Sequence, residues 1–500
     1  MLTRRKFLGL GAAAVGLSSF AGIPVANAQT TKVPVKAECD VLVLGGGMAG
    51  LCAAISAREA GAKSVLLLEK SPYFGGHTIM SGAGYWIGGT DIQKKAGIDD
   101  SVEFNWQDSV NRGIAANRFL KRDTAVARLV YEEGPKDLQW LESLGVKFTE
   151  QPAQAIGNRK RVHYFAPGYR AGSPVAVKTL AEKAASLGVK TQMNTKLVSL
   201  VTASNDFGSR VTGAVVETNK GEKYTVRAKQ GVILATGGFA NSPELVAKYH
   251  PYLKGRRSLG SKFNTGDGIV AATNIGASLL VEHNGFGMNM LFVGTGTDKS
   301  IGQPLVEVPL VIVNKAGTRF QDETKGYLAV NHMMVEKGYP TANWIFDKKS
   351  ADAHRAGSLK LLFEQFKVKE YASLDELAKG EGIDAKALKQ TIADYNADVT
   401  KGKDRVTGRT KLMQTIDTAP FFSFECEPRI YTSYSGLEID THARVLDTRR
   451  LPIPGLYAAG DVCGHLAYQA NLGGGGISGI VMATVYGRIA GREAAKSTPQ

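Results

Sequence analysis

The apolar positions of this chain fall into two rhythms. Short unbroken runs read as buried strands: Asp40–Leu44, Val65–Leu68, the run inside Gly231–Ala240 and the run inside Ile453–Gly464. Helical spacing covers Leu51–Ala60, the amphipathic stretch Ala125–Leu144 and the last long segment, Ile477–Ala495. Leu374–Asp394 reads as one helix and a connector. Strands alternating with helices predict an α/β fold. Two segments fit neither rhythm. Gln151–Ala171 is polar and basic, and its pattern assigns it no role. FQDETKGYLA, Phe320 to Ala329, is a polar turn between apolar segments that holds two acids, a lysine, a glycine and a tyrosine.

The first 28 residues are patterned as an address. Arg4 and Arg5 precede Phe7-Leu8 and a weakly apolar, Gly/Ala-rich run that ends at Ala26-Asn27-Ala28. This has the form of a twin-arginine export signal, with a periplasmic destination and the twin-arginine translocation machinery as a transient partner. An ordinary secretory signal or a membrane anchor shares part of the pattern; the arginine pair and the small-residue cleavage site favour the twin-arginine form. No other stretch reaches the roughly 18 apolar residues of a membrane helix.

Five hundred residues predict two or three structural units. Removing the leader takes Arg4, Arg5 and Lys6 and no acid, so the net charge falls from +15 to +12. Such a surface suits an acidic redox partner or anionic lipid, or serves solubility alone. No basic run interleaved with aromatics points to nucleic acid. Cys39, Cys52, Cys426 and Cys463 form no C-x-x-C or C-x-x-C-H, and the histidines form no H-E-x-x-H. No c-type haem, zinc or iron–sulfur site is therefore expected, and Cys39 and Cys52 are expected to pack as small apolar residues.

The first strand, helix and second strand enclose Gly45-x-Gly47-x-x-Gly50, and Glu69 stands nineteen residues after Gly50. That context makes the glycines a dinucleotide fingerprint. Gly45 makes the turn, Gly47 admits backbone to the pyrophosphate, Gly50 lets helix pack on strand, and the helix N-terminus, with Ala49 in its first turn, faces the phosphates. Glu69, followed by Lys70, is placed to accept from ribose hydroxyls. The fingerprint alone does not separate FAD from NAD.

Three more stretches do: GGHTIMSGAG (Gly75–Gly84), GVILATGGFA (Gly231–Ala240) and IPGLYAAGDVCG (Ile453–Gly464). With them the mature chain resembles the flavoprotein family of soluble fumarate reductases, flavocytochrome c-type reductases, urocanate reductase and ketosteroid dehydrogenases. The resemblance implies FAD. It implies that Gly76, His77, Thr78 and the turn Ser81, Gly82, Ala83 lie along the isoalloxazine, and that Thr236, Gly237 and Gly238 pass the adenine side. It further implies that Asp267, Thr432 and Asp461 approach the flavin region, and that Gly476 and Ile477 offer N–H groups to the flavin pyrimidine. His77 falls where membrane-bound succinate dehydrogenases carry a histidine bonded covalently to FAD, so covalent and non-covalent attachment both stay open. The implied architecture is a Rossmann-type FAD-binding domain with an inserted α+β capping domain: leader 1–28, FAD-binding domain 29–278 and 436–500, cap 279–435.

The family's dicarboxylate clamp is missing. In fumarate reductases two arginines and two histidines hold the substrate, and one arginine donates the completing proton. Here Asn471 stands at the arginine before the glycine-rich flavin loop, Tyr431 and Thr432 at the flavin-side histidine, and Met288 at the cap histidine, with His283 out of register. Tyr327 stands at the proton-donating arginine. A dicarboxylate would face no charge partner. The expectation is hydride transfer from flavin to an activated C=C bond of a non-dicarboxylate, with the proton passing through Tyr327. Lys325 is the rival donor, and Tyr431 or Tyr434 would hold a carbonyl oxygen. Asp322 and Glu323 are expected to be structural. Without haem, a separate cytochrome or quinol-linked carrier would supply electrons. A ketosteroid-like dehydrogenase and a flavin electron-transfer protein are the alternatives.

Overall fold

The computed structural model describes residues 33–115, 124–154, 159–281, 286–292, 307–365, 368–464 and 477–498; at 112–115, 124, 286–292, 327–328, 361 and 365 only the backbone is described. The apolar run after Asp40 ends the strand Val35–Leu44, and Val41, Leu42 and Val43 are fully buried. This strand pairs in parallel with Val65–Leu68 on one side and Lys223–Leu234 on the other. Lys190–Gln192 and Pro452–Ala458 extend the parallel core, and Arg444–Leu446 closes one edge antiparallel. The hairpin Thr195–Thr202 and Val211–Thr218 completes an eight-stranded sheet.

Met48–Glu59 follows the first strand, and Gly479–Lys496 is the closing helix. The two helices lie unusually close. A Cβ on Gly487 would stand 2.5 Å from the Ala49 carbonyl oxygen, and one on Gly491 would stand 2.2 Å from that of Ala53. Small residues on both helices permit this approach, and the Ser56 hydroxyl donates to the Arg488 carbonyl at 2.8 Å. The amphipathic stretch is the helix Thr124–Ser143, tied to the closing helix by Arg488 and Asp137. Cys39 and Cys52 are buried, and burial pushes the Cys39 thiol up to about 12.

A second, antiparallel sheet of five strands forms the inserted α+β part. Phe421–Ser433 is its spine, pairing with Phe286–Phe292, Ala342–Asp347 and Lys369–Tyr371, and Val311–Val313 lies beyond Ala342–Asp347. Its two faces carry separate apolar clusters, one around Trp344 and Phe346, the other around Leu388 and Tyr395. Leu374–Asp394, expected as one helix and a connector, carries two helices, Leu374–Glu381 and Ala385–Val399, the second running past it. Gly382, at φ 63°, ends the first, and the Asp384 carboxylate caps the second by accepting from Ala387 N at 2.8 Å. Left-handed glycine followed by an acidic N-cap stops one helix and starts another, although the apolar spacing runs through. Among the described residues no helix is long and apolar enough to cross a membrane. The protein is an α/β fold, Rossmann-type, with this α+β insertion.

Candidate functional site

At the C-terminal ends of the parallel strands a cavity of about 390 Å³ opens. This is where the loops of such a sheet gather ligand-binding groups. The glycine turn forms one end. Gly45 has φ 116°, and a Cβ there would lie 2.1 Å from the Ala235 carbonyl oxygen. A Cβ on Gly50 would lie 1.8 Å from the Gly45 carbonyl oxygen, so helix and strand meet with no room for a side chain. Gly47 is different: only the Gly75 carbonyl oxygen lies within reach, at 3.7 Å, and its open side belongs to the cavity wall with Met48 and Ala49. The helix Met48–Glu59 has no side-chain cap, and Met48 N donates to Thr78 Oγ1 at 3.2 Å.

Glu69 ends the second strand, buried on the same wall. Its carboxylate accepts from Gly46 N and Ser71 N, both at 2.6 Å, which fixes its direction. Lys70 meets Asp267 at 2.9 Å and also bonds Thr265, whose hydroxyl donates to Asp267 Oδ1 at 2.7 Å. Gly237 lines the wall beside Thr236; Gly238 sits behind it, against the Ser433 hydroxyl.

The middle of the wall is built on His77. Its Nδ1 lies 3.3 Å from Asp461 Oδ2, and the Thr432 hydroxyl donates to the same oxygen at 2.8 Å. Burial alone would raise the Asp461 carboxyl, but the bonds from His77 and Thr432 outweigh it and hold it below the usual carboxylate value. The Tyr431 ring lies edge-on to His77 at 4.3 Å, and its hydroxyl donates to the Met80 carbonyl at 3.2 Å. Gly76, Thr78, Ser81, Gly82 and Tyr434 line the same space. Ala83 is buried behind it at φ 64°, with its N–H donated to Ser81 Oγ at 3.2 Å. At the far end Ser478, Gly479 and Ile480 bring the uncapped N-terminus of the closing helix to the cavity, and Ile477 is buried beside them.

Some expected residues are elsewhere. Lys325 is solvent-exposed in the turn Glu323–Lys325 and is not among the described wall residues. Tyr327 opens the helix Tyr327–Glu336, and its side chain lies outside the described residues. So do Gly476, Asn471 and His283, and the side chain of Met288. Glu323 is wholly buried, bonded to Arg319 and Arg409, and Asp322 caps its turn through Thr324 N at 3.0 Å.

Sequence reasoning missed one wall entirely. Gln154, Val162, Tyr164, Tyr169 and Arg170, from the segment without an assigned role, all face the cavity. Val162–Tyr164 pairs with Gly84–Trp86, which carries the segment to the flavin-type turn. Buried Arg161 braces that pairing through Asp100, at 2.6 Å, and Asp108, at 2.7 Å. The signal was the clustering of Tyr164, Phe165 and Tyr169 beside arginines.

The wall fits FAD. Two uncapped helix N-termini suit a pyrophosphate and an electron-rich ring. His77 and Thr236 line the cavity, and His77 Nε2 and Thr236 Oγ1 are buried with no hydrogen-bond partner among the described residues. Buried polar atoms left this way call for a ligand that satisfies them.

Residues 40–477 match the family described as the FAD binding domain. Over 465 residues, 91% of this chain and 74% of the relative, the sequence is 33% identical to a probable fumarate reductase, Ifc3, of Shewanella frigidimarina. It is 31% identical to the urocanate reductase of Eggerthella lenta over 92% of this chain and 75% of that protein. The open conformation of a flavocytochrome c3 fumarate reductase superposes with a TM-score of 0.77 at 31% identity, covering 92% of this chain and 79% of that one. With the fit of the cavity, these likenesses settle both cofactor and class: the chain belongs to the fumarate reductase and flavocytochrome c-type flavoprotein family, an FAD-dependent oxidoreductase of C=C bonds.

Proposed function

We propose that the protein reduces the C=C bond of an α,β-unsaturated substrate that is not a dicarboxylate, working in the periplasm with electrons from a separate cytochrome or quinol-linked carrier. Bound FAD supplies the hydride chemistry. The observation that carries the substrate reading is the strand end at Tyr431–Tyr434. Tyr431 and Tyr434 put phenol side chains on the cavity wall, and Thr432 is committed to Asp461. Neutral donors stabilise developing enolate charge without demanding an anionic substrate. Tyr431 would exchange the Met80 carbonyl for the substrate oxygen. Tyr327, four residues after Glu323 in the register of the family's proton donor, delivers the proton to the α-carbon. Arg4-Arg5 and the cleavage site support export.

The test is anaerobic. Holoenzyme reduced with a viologen is mixed with enoates, with fumarate, or with buffer, and flavin reoxidation is followed in its absorbance band. Neutral or singly charged enoates should reoxidise the flavin and fumarate should not. Equal rates with fumarate would overturn the substrate reading. Flavin reduction by saturated ketones, with no reoxidation by enoates, would favour the ketosteroid-like dehydrogenase instead. In Tyr327→Phe, full turnover with intact flavin would remove Tyr327 from the mechanism.

A further inference from the structure

We propose that Arg170, with Tyr164 and Tyr169, forms a subsite for the carboxylate of an unsaturated monocarboxylic acid whose planar body packs on the two tyrosine rings. The proposal rests on the C=C reading and names the substrate class for that site.

Three observations converge on Arg170. It lies on the cavity wall, and its backbone N–H donates to the Gly82 carbonyl oxygen at 3.2 Å, beside the Ser81–Gly84 turn. Its φ is 60°, a left-handed conformation that a residue with a Cβ rarely adopts and that costs stability. Glycine would remove that cost, so the strained arginine suggests a use for its side chain. Its guanidinium carbon stands 5.4 Å from the centroid of the Tyr169 ring, an arrangement that orients the planar fork.

The surroundings supply the rest of a carboxylate site. Tyr164 and Tyr169 meet edge to face at 5.9 Å, and both line the cavity. Burial, followed by the neighbouring Tyr169, raises the Tyr164 phenol, so it stays a neutral donor. The Tyr169 ring covers Gly82: a Cβ there would come within 2.9 Å of it. The wall is braced as well as aromatic, with Tyr169 about half exposed at its rim. Arg161, Asp100 and Asp108 brace the strand below, and Gly172 closes the loop, with its N–H donated to the Gly168 carbonyl oxygen at 2.9 Å. One guanidinium suits one carboxylate, bound by charge-assisted hydrogen bonds. Among the described residues a second carboxylate next to Arg170 would meet the Tyr164 and Tyr169 rings, so the subsite would discriminate against dicarboxylates by leaving that charge unpaired.

Binding to oxidised holoenzyme tests this without turnover. The flavin difference spectrum is titrated with trans-3-phenylpropenoate, its saturated analogue 3-phenylpropanoate, and the neutral amide 3-phenylpropenamide. The proteins are wild type, R170Q, R170K and R170G; R170G also relieves the left-handed backbone and so keeps the fold. Wild type should bind both acids more tightly than the amide. R170Q and R170G should weaken both acids roughly 10- to 100-fold, the size expected for a lost charge-assisted bond, and leave the amide unchanged; R170K should recover part. Equal affinity of wild type for acid and amide, or equal loss of both in the variants, would overturn the proposal. So would unchanged acid binding with a shifted flavin midpoint potential, which would assign the guanidinium to the cofactor. Acids that bind through Arg170 yet never reoxidise reduced flavin would sink the C=C reading alone.

Discussion

Replacing Glu323 with Gln keeps the side-chain volume and removes one charge from a buried cluster. The wild-type carboxylate accepts from Arg319 Nε at 3.1 Å and Nη2 at 2.8 Å, from Arg409 Nη1 at 2.9 Å, and from the backbone N–H of Ile312 at 2.9 Å. Arg319 also meets Asp404 at 2.8 Å, and Arg409 donates to the Leu310 carbonyl at 2.7 Å. Two buried cations thus face two buried anions, and the variant leaves two cations facing one. Removing one partner from a buried ion pair costs about 3–5 kcal/mol. A glutamine carbonyl still accepts one bond, which puts the expected cost at the lower end, about 3 kcal/mol. That corresponds to roughly 100-fold more frequent local opening. Hydrogen–deuterium exchange on the holoenzyme reads it directly, because Ile312 N is itself a partner. Amides of Val311–Val313 and of the turn leading to Tyr327 should exchange roughly 100-fold faster, while those of the fingerprint around Gly45–Gly50 hold. Unchanged exchange at Val311–Val313, or equal acceleration at the fingerprint, would refute a local clamp on the segment that carries Tyr327.

Four other perturbations follow. Gly491→Ala sets a methyl 2.2 Å from the Ala53 carbonyl oxygen, and such overpacking costs about 1–3 kcal/mol; flavin release on heating should come at lower temperature, and an unchanged curve would mean the two helices part freely. Burial depresses the His163 imidazole to about 4 against 6.5 unfolded. The unfolded chain therefore gains a proton that the folded one refuses, so this group's contribution is full above pH 6.5 and is lost as pH falls towards 4. The loss reaches about 3 kcal/mol; His163→Gln should flatten urea-unfolding stability over that window, and an unaltered slope would count against it. Acid precipitation should release all of the flavin, since a pellet that keeps its colour would demonstrate a covalent bond. His77→Ala should weaken FAD binding roughly tenfold in apoprotein reconstitution followed by flavin fluorescence, and full affinity would leave the buried Nε2 without a purpose.

What was legible in the sequence depended on how locally each feature is encoded. The fingerprint is contiguous: Gly45 and Gly50 are required by contacts with the adjacent strand end and the turn itself, and Gly47 lies on the open cavity wall between them, so spacing together with the flanking strand, helix and acid found all three. The break between Leu374–Glu381 and Ala385–Val399 was also local, written in Gly382 and Asp384, but apolar spacing outweighed it in the reading. The Arg170 wall is the opposite case. It reaches the cavity through the pairing of Tyr164 with Gly84 and through an ion pair between Arg161 and Asp100, residues 61 positions apart. No periodicity carries such a partnership.

The same distinction bears on how this site can change. The cofactor end is held by backbone geometry, where a Cβ at Gly45 or Gly50 would lie about 2 Å from a carbonyl oxygen, so substitution there removes the cofactor and every reaction with it. The end we propose for the substrate is lined by side chains on braced backbone: Tyr431 and Tyr434 at one strand end, Tyr164, Tyr169 and Arg170 on a loop fixed from behind by Arg161. Exchanging one of those side chains alters charge and shape at the cavity while the bracing contacts stay. On that proposed division, the fold can keep one hydride donor and move between anionic and neutral alkenes, because the groups assigned to the substrate are not those assigned to the flavin.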